Sequence, residues 1–205
     1  MIANTCLLLL VCTLGLLTPG PDMMLILKNS LTGNRKAAFA TVWGVCAAIL
    51  VHMTYCVLGL GYLLTHHPLI FKIAQYAGAT YLIYVGVQAL RHTNRGDNAM
   101  GETLDSGLSQ RLGFAQGFWN NLLNPKAAFF FIALFAEMFS AQVGLPMRIY
   151  YAGVVTLHAF VAWTLLVLLL QSRAIQQFVM RSRKMVEVVF GTVLIALGVK
   201  VALTR

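Results

Sequence analysis

The stretch Thr18-Pro19-Gly20-Pro21-Asp22 places two prolines, a glycine and a carboxylate inside an otherwise apolar run, with Leu7 to Leu17 before it and Met23 to Leu27 after it. No helix passes through such a stretch undisturbed. Each proline removes a backbone donor and clashes with the preceding turn, and the glycine adds conformational freedom. At membrane depth a break of this kind is tolerated only where the freed backbone groups face protein or a water-filled cavity. The motif therefore predicts a membrane helix broken at a site.

Membrane immersion follows from composition. Of 205 residues 59% are hydrophobic and 10% charged, with a mean hydropathy of +0.77, whereas a soluble domain is roughly a quarter charged. A spanning helix needs about 20 mostly apolar residues. Six segments fit that length, at about 2–31 (through the break), 37–64, 69–90, 112–139, 145–170 and 185–203. The expected fold is an all-α polytopic membrane protein with six transmembrane helices, forming one transporter domain over 1–205. The N-terminal run has no basic leader and no A-x-A cleavage site, so it reads as a retained span.

The polar stretch 91–110, rich in Gly, Asn, Asp and Ser and carrying Asp97, Glu102 and Asp105, reads as a linker between two halves. Repeat one covers about 1–90 and repeat two about 111–205. Thr18-Pro19 recurs as Asn124-Pro125 at an offset of 106 residues, and His52 recurs as His158 at the same offset. GATYLIYVGVQAL from Gly78 likewise echoes GTVLIALGVKVAL from Gly191. Three spans per half force the copies into opposite orientations, an inverted repeat with broken first and fourth helices. In transporters of this kind the substrate sits near midplane at the breaks.

The net charge of +9 does not point to nucleic acid, because the basic residues lie in short clusters between apolar runs. Lys28, Arg35 and Lys36 mark the first loop, Arg91, Arg95 and Arg111 the third, and Arg173, Arg181, Arg183 and Lys184 the fifth. The positive-inside rule makes these loops cytoplasmic and puts both termini on the far side. Cys6, Cys12, Cys46 and Cys56 form no C-x-x-C pair and read as packing residues. No H-E-x-x-H motif, nucleophile elbow or paired acids suggest an enzyme, and no cofactor is expected.

The second break, Asn120-Asn121-Leu122-Leu123-Asn124-Pro125-Lys126, again sets a charge directly after its proline. An isolated charge at the bilayer centre costs on the order of 2.5–3.5 kcal/mol. Asp22 and Lys126, opposite in sign at matching places, are thus expected to share one cavity, the alternative being a Lys126 that snorkels to an interface. Asn120, Asn121 and Asn124 fit either substrate binding or capping of the broken backbone. His52 and His158 fit proton relay, although hydrogen-bonded packing is the commoner role for a lone intramembrane histidine. Gly44-x-x-x-Ala48 and Gly113-x-x-x-Gly117 allow close helix approach, within one chain or in a homodimer. Glu137, near the end of the fourth span, is expected to reach water.

T-P-G-P-D in the first span, the turn residues Gly33, Arg35 and Ala37, and N-L-L-N-P-K-A from Asn121 to Ala127 together resemble the LysE/RhtB family, the lysine-exporter and homoserine/threonine-resistance family of bacterial amino-acid exporters. The resemblance covers essentially the whole chain. It implies efflux of a small amino acid from the cytoplasm across the cell inner membrane, driven by the proton gradient; the termini, on the far side by the positive-inside rule, are then periplasmic. It carries over to Pro19, Gly20, Pro21, Asp22, Asn124, Pro125 and Lys126. A zwitterion needs its carboxylate and ammonium met together. Half-helix N-termini and Lys126 suit the carboxylate, while Asp22 suits the ammonium or an exchanged proton. A neutral amino acid such as threonine, homoserine or leucine is favoured. An exporter of another small solute or of a metal cation, with Asp22, His52 and His158 along one path, is the alternative.

Overall fold

The computed structural model describes residues 2–17, 20–31, 34–92, 109–138, 143–170 and 172–203, and the regular structure among them is helical. Helix α1 (Ile2–Leu17) ends where the first proline motif begins, and α2 (Pro21–Leu31) starts on its second proline. Their axes meet at 64°. Pro21 suits this first helical position because the amide it lacks would have had no intrahelical partner, and Asp22 complements the positive end of the helix. Thr18 and Pro19 lie outside the described residues.

Helix α3 (Arg35–Thr54) is capped by Asn34, whose side-chain oxygen accepts from the Ala37 amide at 3.2 Å. It continues through a π-helical turn, Tyr55–Leu60, into α4 (Gly61–His66), and His67 alone separates α4 from α5 (Pro68–His92). Most of the expected linker, residues 93–108, lies outside the described residues. Helices α6 (Gln110–Leu122) and α7 (Pro125–Met138) flank the second break as expected, followed by α8 (Leu145–Leu169) and α9 (Arg173–Leu203).

One boundary differs from the sequence expectation. The basic residues assigned to a fifth loop, Arg173 to Lys184, lie on α9 itself, whose apolar part is confined to Val188–Leu203. Hydropathy delimits the part of a helix that suits lipid, not the helix.

Among the described residues, two helical stretches are long and apolar enough to cross a membrane by themselves, Arg35–Leu60 and Leu145–Leu169, and α1 with α2 qualifies as one bent pair. Burial is arranged for a nonpolar solvent. Leu10, Leu58, Leu69, Ile73, Leu123 and Leu157 are exposed, whereas Asn29, Thr41, His52, Gln75, Asn121 and Asn124 are buried. A soluble protein shows the reverse preference.

Two glycine-lined crossings set the frame. On α3 and α6, a Cβ at Gly113 would lie 2.6 Å from the Ala37 carbonyl oxygen, and one at Gly44 or Gly117 would run into the facing backbone at Phe114 or Thr41. The partners rise in number together, 37 with 113 and 41 with 117, so these helices run parallel. On α5 and α9, a Cβ at Gly86 would meet the Gly191 oxygen at 2.7 Å and one at Gly198 the Ala79 oxygen at 2.8 Å. Here the numbers run oppositely, so the helices are antiparallel. Gly44, Gly113 and Gly117 are thus all engaged within the chain. Substituting Gly117 with Ala is expected to force these helices apart and cost about 1–3 kcal/mol, read as a lower unfolding temperature in detergent. Gly153, which has nothing within 4 Å of its Cβ direction, should accept Ala without change.

Candidate functional site

The two breaks converge on one carboxylate. Asp22, second residue of α2, accepts from the side-chain amides of Asn120 (2.7 Å, to Oδ1), Asn121 (3.0 Å, to Oδ2) and Asn124 (3.1 Å, to Oδ2). A carboxylate offers about four lone-pair directions, so these three donors leave room for one more. Asn124 also caps α7, its Oδ1 accepting from the Lys126 amide at 3.0 Å. That bond fixes which way the Asn124 amide points and aims its nitrogen at Asp22. The Asn124 side chain thus caps the broken backbone and at the same time holds Asp22.

Lys126, second residue of α7, matches Asp22 in position but opposes its helix dipole, at a cost of roughly 0.3–1 kcal/mol. Its ammonium lies 4.8 Å from the centroid of the Phe190 ring on α9, and it is close enough to Asp22 for the charges to interact. Both side chains line one pocket, together with Gly20, Asn121, Asn124 and His158. The remaining wall is largely apolar, including Ile49, Phe130, Phe131 and Val155. The start of α7 is thus an electropositive spot facing an acidic one across a mostly apolar space, an arrangement suited to a small zwitterion. Pro21 and Pro125 open the two helices and flank a second, shallower cleft with Asn120.

The two histidines, equivalent by sequence offset, are not equivalent in space. His52 is 1% exposed. Its Nε2 donates to the Asn121 carbonyl at 3.2 Å, and its Nδ1 lies 2.7 Å from the Tyr55 hydroxyl at the π-helical turn. Both ring nitrogens are used, which is the packing role, and the histidine braces the backbone of an asparagine that holds Asp22. His158 instead faces the pocket. Glu137 does not simply reach water: its side chain is 13% exposed and pairs with Lys200 of α9 at 2.9 Å.

Several polar residues carry more of the site than their sequence context suggests. Asn29 donates to Thr41 (2.8 Å) and Gln116 (3.2 Å), tying α2 to α3 and α6 beneath the break. Trp163 and Thr13 also belong to the neighbourhood of the pocket. For the first group the available signal is an amide at 29 and another at 116 inside apolar surroundings. Trp163 gives none, since an indole in an apolar run reads as packing. The alternative of a metal path gains nothing here, as no group of three or more His, Cys, Asp or Glu side chains comes together among the described residues.

Helices that turn apolar faces outward and converge, at two breaks, on an internal charged pocket define a membrane transporter and not an enzyme. The chain belongs to the LysE type translocator family, whose model matches residues 13–205. It is similar to threonine efflux proteins of Salmonella typhi and Salmonella typhimurium, 24% identical over 192 residues that cover 93% of each chain. It is equally similar, at 24% over 193 residues, to an uncharacterized membrane protein of Bacillus subtilis, with 91% of this chain and 92% of the relative covered. No solved structure matches.

Asn124→Ala removes both a donor to Asp22 and the cap of α7, whereas Asn120→Ala removes only a donor. The first is therefore expected to lower stability by about 1 kcal/mol more than the second, measured as the difference in unfolding midpoints of the two purified variants.

Proposed function

We propose that this chain exports a small neutral amino acid from the cytoplasm across the inner membrane in exchange for protons. The observation that carries this reading is the pair of opposite charges, Asp22 and Lys126, each second in a helix that begins at a break and both lining one pocket. A free amino acid presents opposite charges a few ångströms apart, and neither is left unpaired in a dry site without large cost. Its carboxylate goes to Lys126 and the N-terminus of α7. Its ammonium goes to Asp22 and the neighbouring Asn121 side-chain oxygen, which is buried and has no hydrogen-bond partner among the described residues. With Asp22 the one acid among the described residues of the pocket wall, a cationic side chain finds no second counter-charge, which favours a neutral substrate. The threonine efflux relatives agree with that class.

Six spans in two inverted repeats remain part of this proposal. The second and fourth spans, α3 and α6, should then run parallel, and the third and sixth, α5 and α9, antiparallel. The glycine contacts have those directions. In this arrangement loops one, three and five face the cytoplasm and both termini the periplasm. Alternating access follows from rocking of one repeat against the other around the fixed pocket.

Coupling follows if Asp22 releases the ammonium when it takes a proton and regains it when deprotonated. Inverted membrane vesicles with an acidic interior should accumulate radiolabelled threonine or a related neutral amino acid. Asp22→Asn should reduce this gradient-driven uptake at least tenfold, the loss of a bond to a charged group. Undiminished gradient-driven uptake by Asp22→Asn would remove the carboxylate from the coupling step.

A further inference from the structure

Each of the two opposing charges in the pocket is met by neutral groups. The side-chain hydrogen bonds that reach Asp22 come from three amides, those of Asn120, Asn121 and Asn124. The ammonium of Lys126 lies over the face of the Phe190 ring, 4.8 Å from its centroid. A ring face attracts a cation through its quadrupole, and more strongly where water is excluded, yet it does not cancel the cation's charge. A carboxylate in the place of the ring would pair with the lysine and use up the charge.

The ring is located from several sides. Phe190 is 1% exposed on α9 and lines the pocket. Gly15 of α1 makes room for it, since a Cβ there would lie 3.7 Å from Phe190 Cε2 and 3.4 Å from Phe130 Cζ. One residue further on, Gly191 belongs to the close crossing with α5, where a Cβ would meet the Gly86 oxygen at 2.7 Å. The platform is thus built by α1, α5 and α9, whereas the charges it serves sit on α2 and α7. A lysine head rides on a flexible four-carbon stem, and opposite charges attract strongly where the dielectric is low. Without a platform, the ammonium is drawn across the pocket to Asp22, and both ends of the space are spent on each other.

We propose that Phe190 is a positioning residue whose ring face holds the Lys126 ammonium apart from Asp22, so that a substrate carboxylate meets a cation already in place. This inference rests on the amino-acid export reading and adds to it the group that keeps the empty pocket open between its charges. An ammonium has three N–H donors, so it bonds a carboxylate while another side stays on the ring. The contact persists with substrate bound, and weakening it lowers substrate binding without slowing the later steps, which is a change in KM and not in kcat.

The test introduces phenylalanines with one, two and three ring fluorines at position 190 of the full chain by nonsense suppression. Uptake into proteoliposomes with an acidic interior is followed with the best transported of radiolabelled threonine, homoserine and leucine. Fluorine withdraws electron density from the ring face at nearly constant shape, which weakens the attraction for a cation and preserves packing. KM should rise stepwise along the series, to at least threefold with three fluorines, while kcat stays within about twofold. The same replacements at Phe135, a fully buried ring of α7 that is not among the described residues lining the pocket, should leave KM unchanged. A KM that falls or stays flat along the series, or that rises as much at Phe135, overturns the positioning role and leaves amino-acid export standing. Failure of the unaltered protein to move any of the three amino acids overturns neutral amino-acid export and this inference with it.

Discussion

A carboxylate set among apolar helices is stable only if its hydrogen bonds are supplied on the spot, and the architecture around Asp22 is organised by that requirement. The donors come from the other half of the chain, on Asn120, Asn121 and Asn124. The two breaks therefore need each other: the first places an acid where water is scarce, and the second supplies the amides that make it tolerable. Asn124 joins the tasks, since one end of its amide starts α7 and the other holds Asp22. His52 extends the support by bonding the backbone of Asn121 from α3. If substrate takes the remaining lone pair, as proposed, it meets an otherwise satisfied carboxylate in a preorganised site, so little ordering is left to be done on binding.

The frame that delivers these groups is built from close backbone approach. Without a hydrophobic force between helices in lipid, packing depends on fit, and small residues let backbones meet. The α3 and α6 crossing fixes the helix that carries His52 against the helix that carries Asn120 and Asn121. The α5 and α9 crossing holds Phe190 where it faces Lys126. Gly78, which faces Ala133 of α7, ties that second pair to the helix of the lysine.

Both breaks, the helical class and the pairing of Asp22 with Lys126 around one pocket are legible in the sequence, because proline and charge are costly inside apolar runs and persist there where a broken helix faces a cavity. Spacing also shows the offset of 106 residues shared by the two proline motifs and the two histidines. It does not tell that His52 is saturated and His158 half-open, since that depends on whether Tyr55 or Thr13 lies beside the ring. Trp163 is illegible for a related reason: an indole in an apolar run reads as packing, and only the fold places it on the pocket wall. The basic start of α9 reads as a loop because polarity imitates a lack of helix. Glu137 reads as solvent-facing because its partner, Lys200, lies on a helix that sequence order does not place beside it.

The central claim is that an amino acid occupies the space between the two breaks. It is tested most directly by placing a single cysteine at Ala127, on the pocket wall, in a chain whose own four cysteines are replaced by alanine, and timing its alkylation by a membrane-permeant maleimide. Saturating amounts of the exported amino acid should slow alkylation several-fold, while an amino acid that is not exported leaves the rate alone. An alkylation rate indifferent to a substrate the same protein demonstrably exports would place the binding site elsewhere and contradict the account.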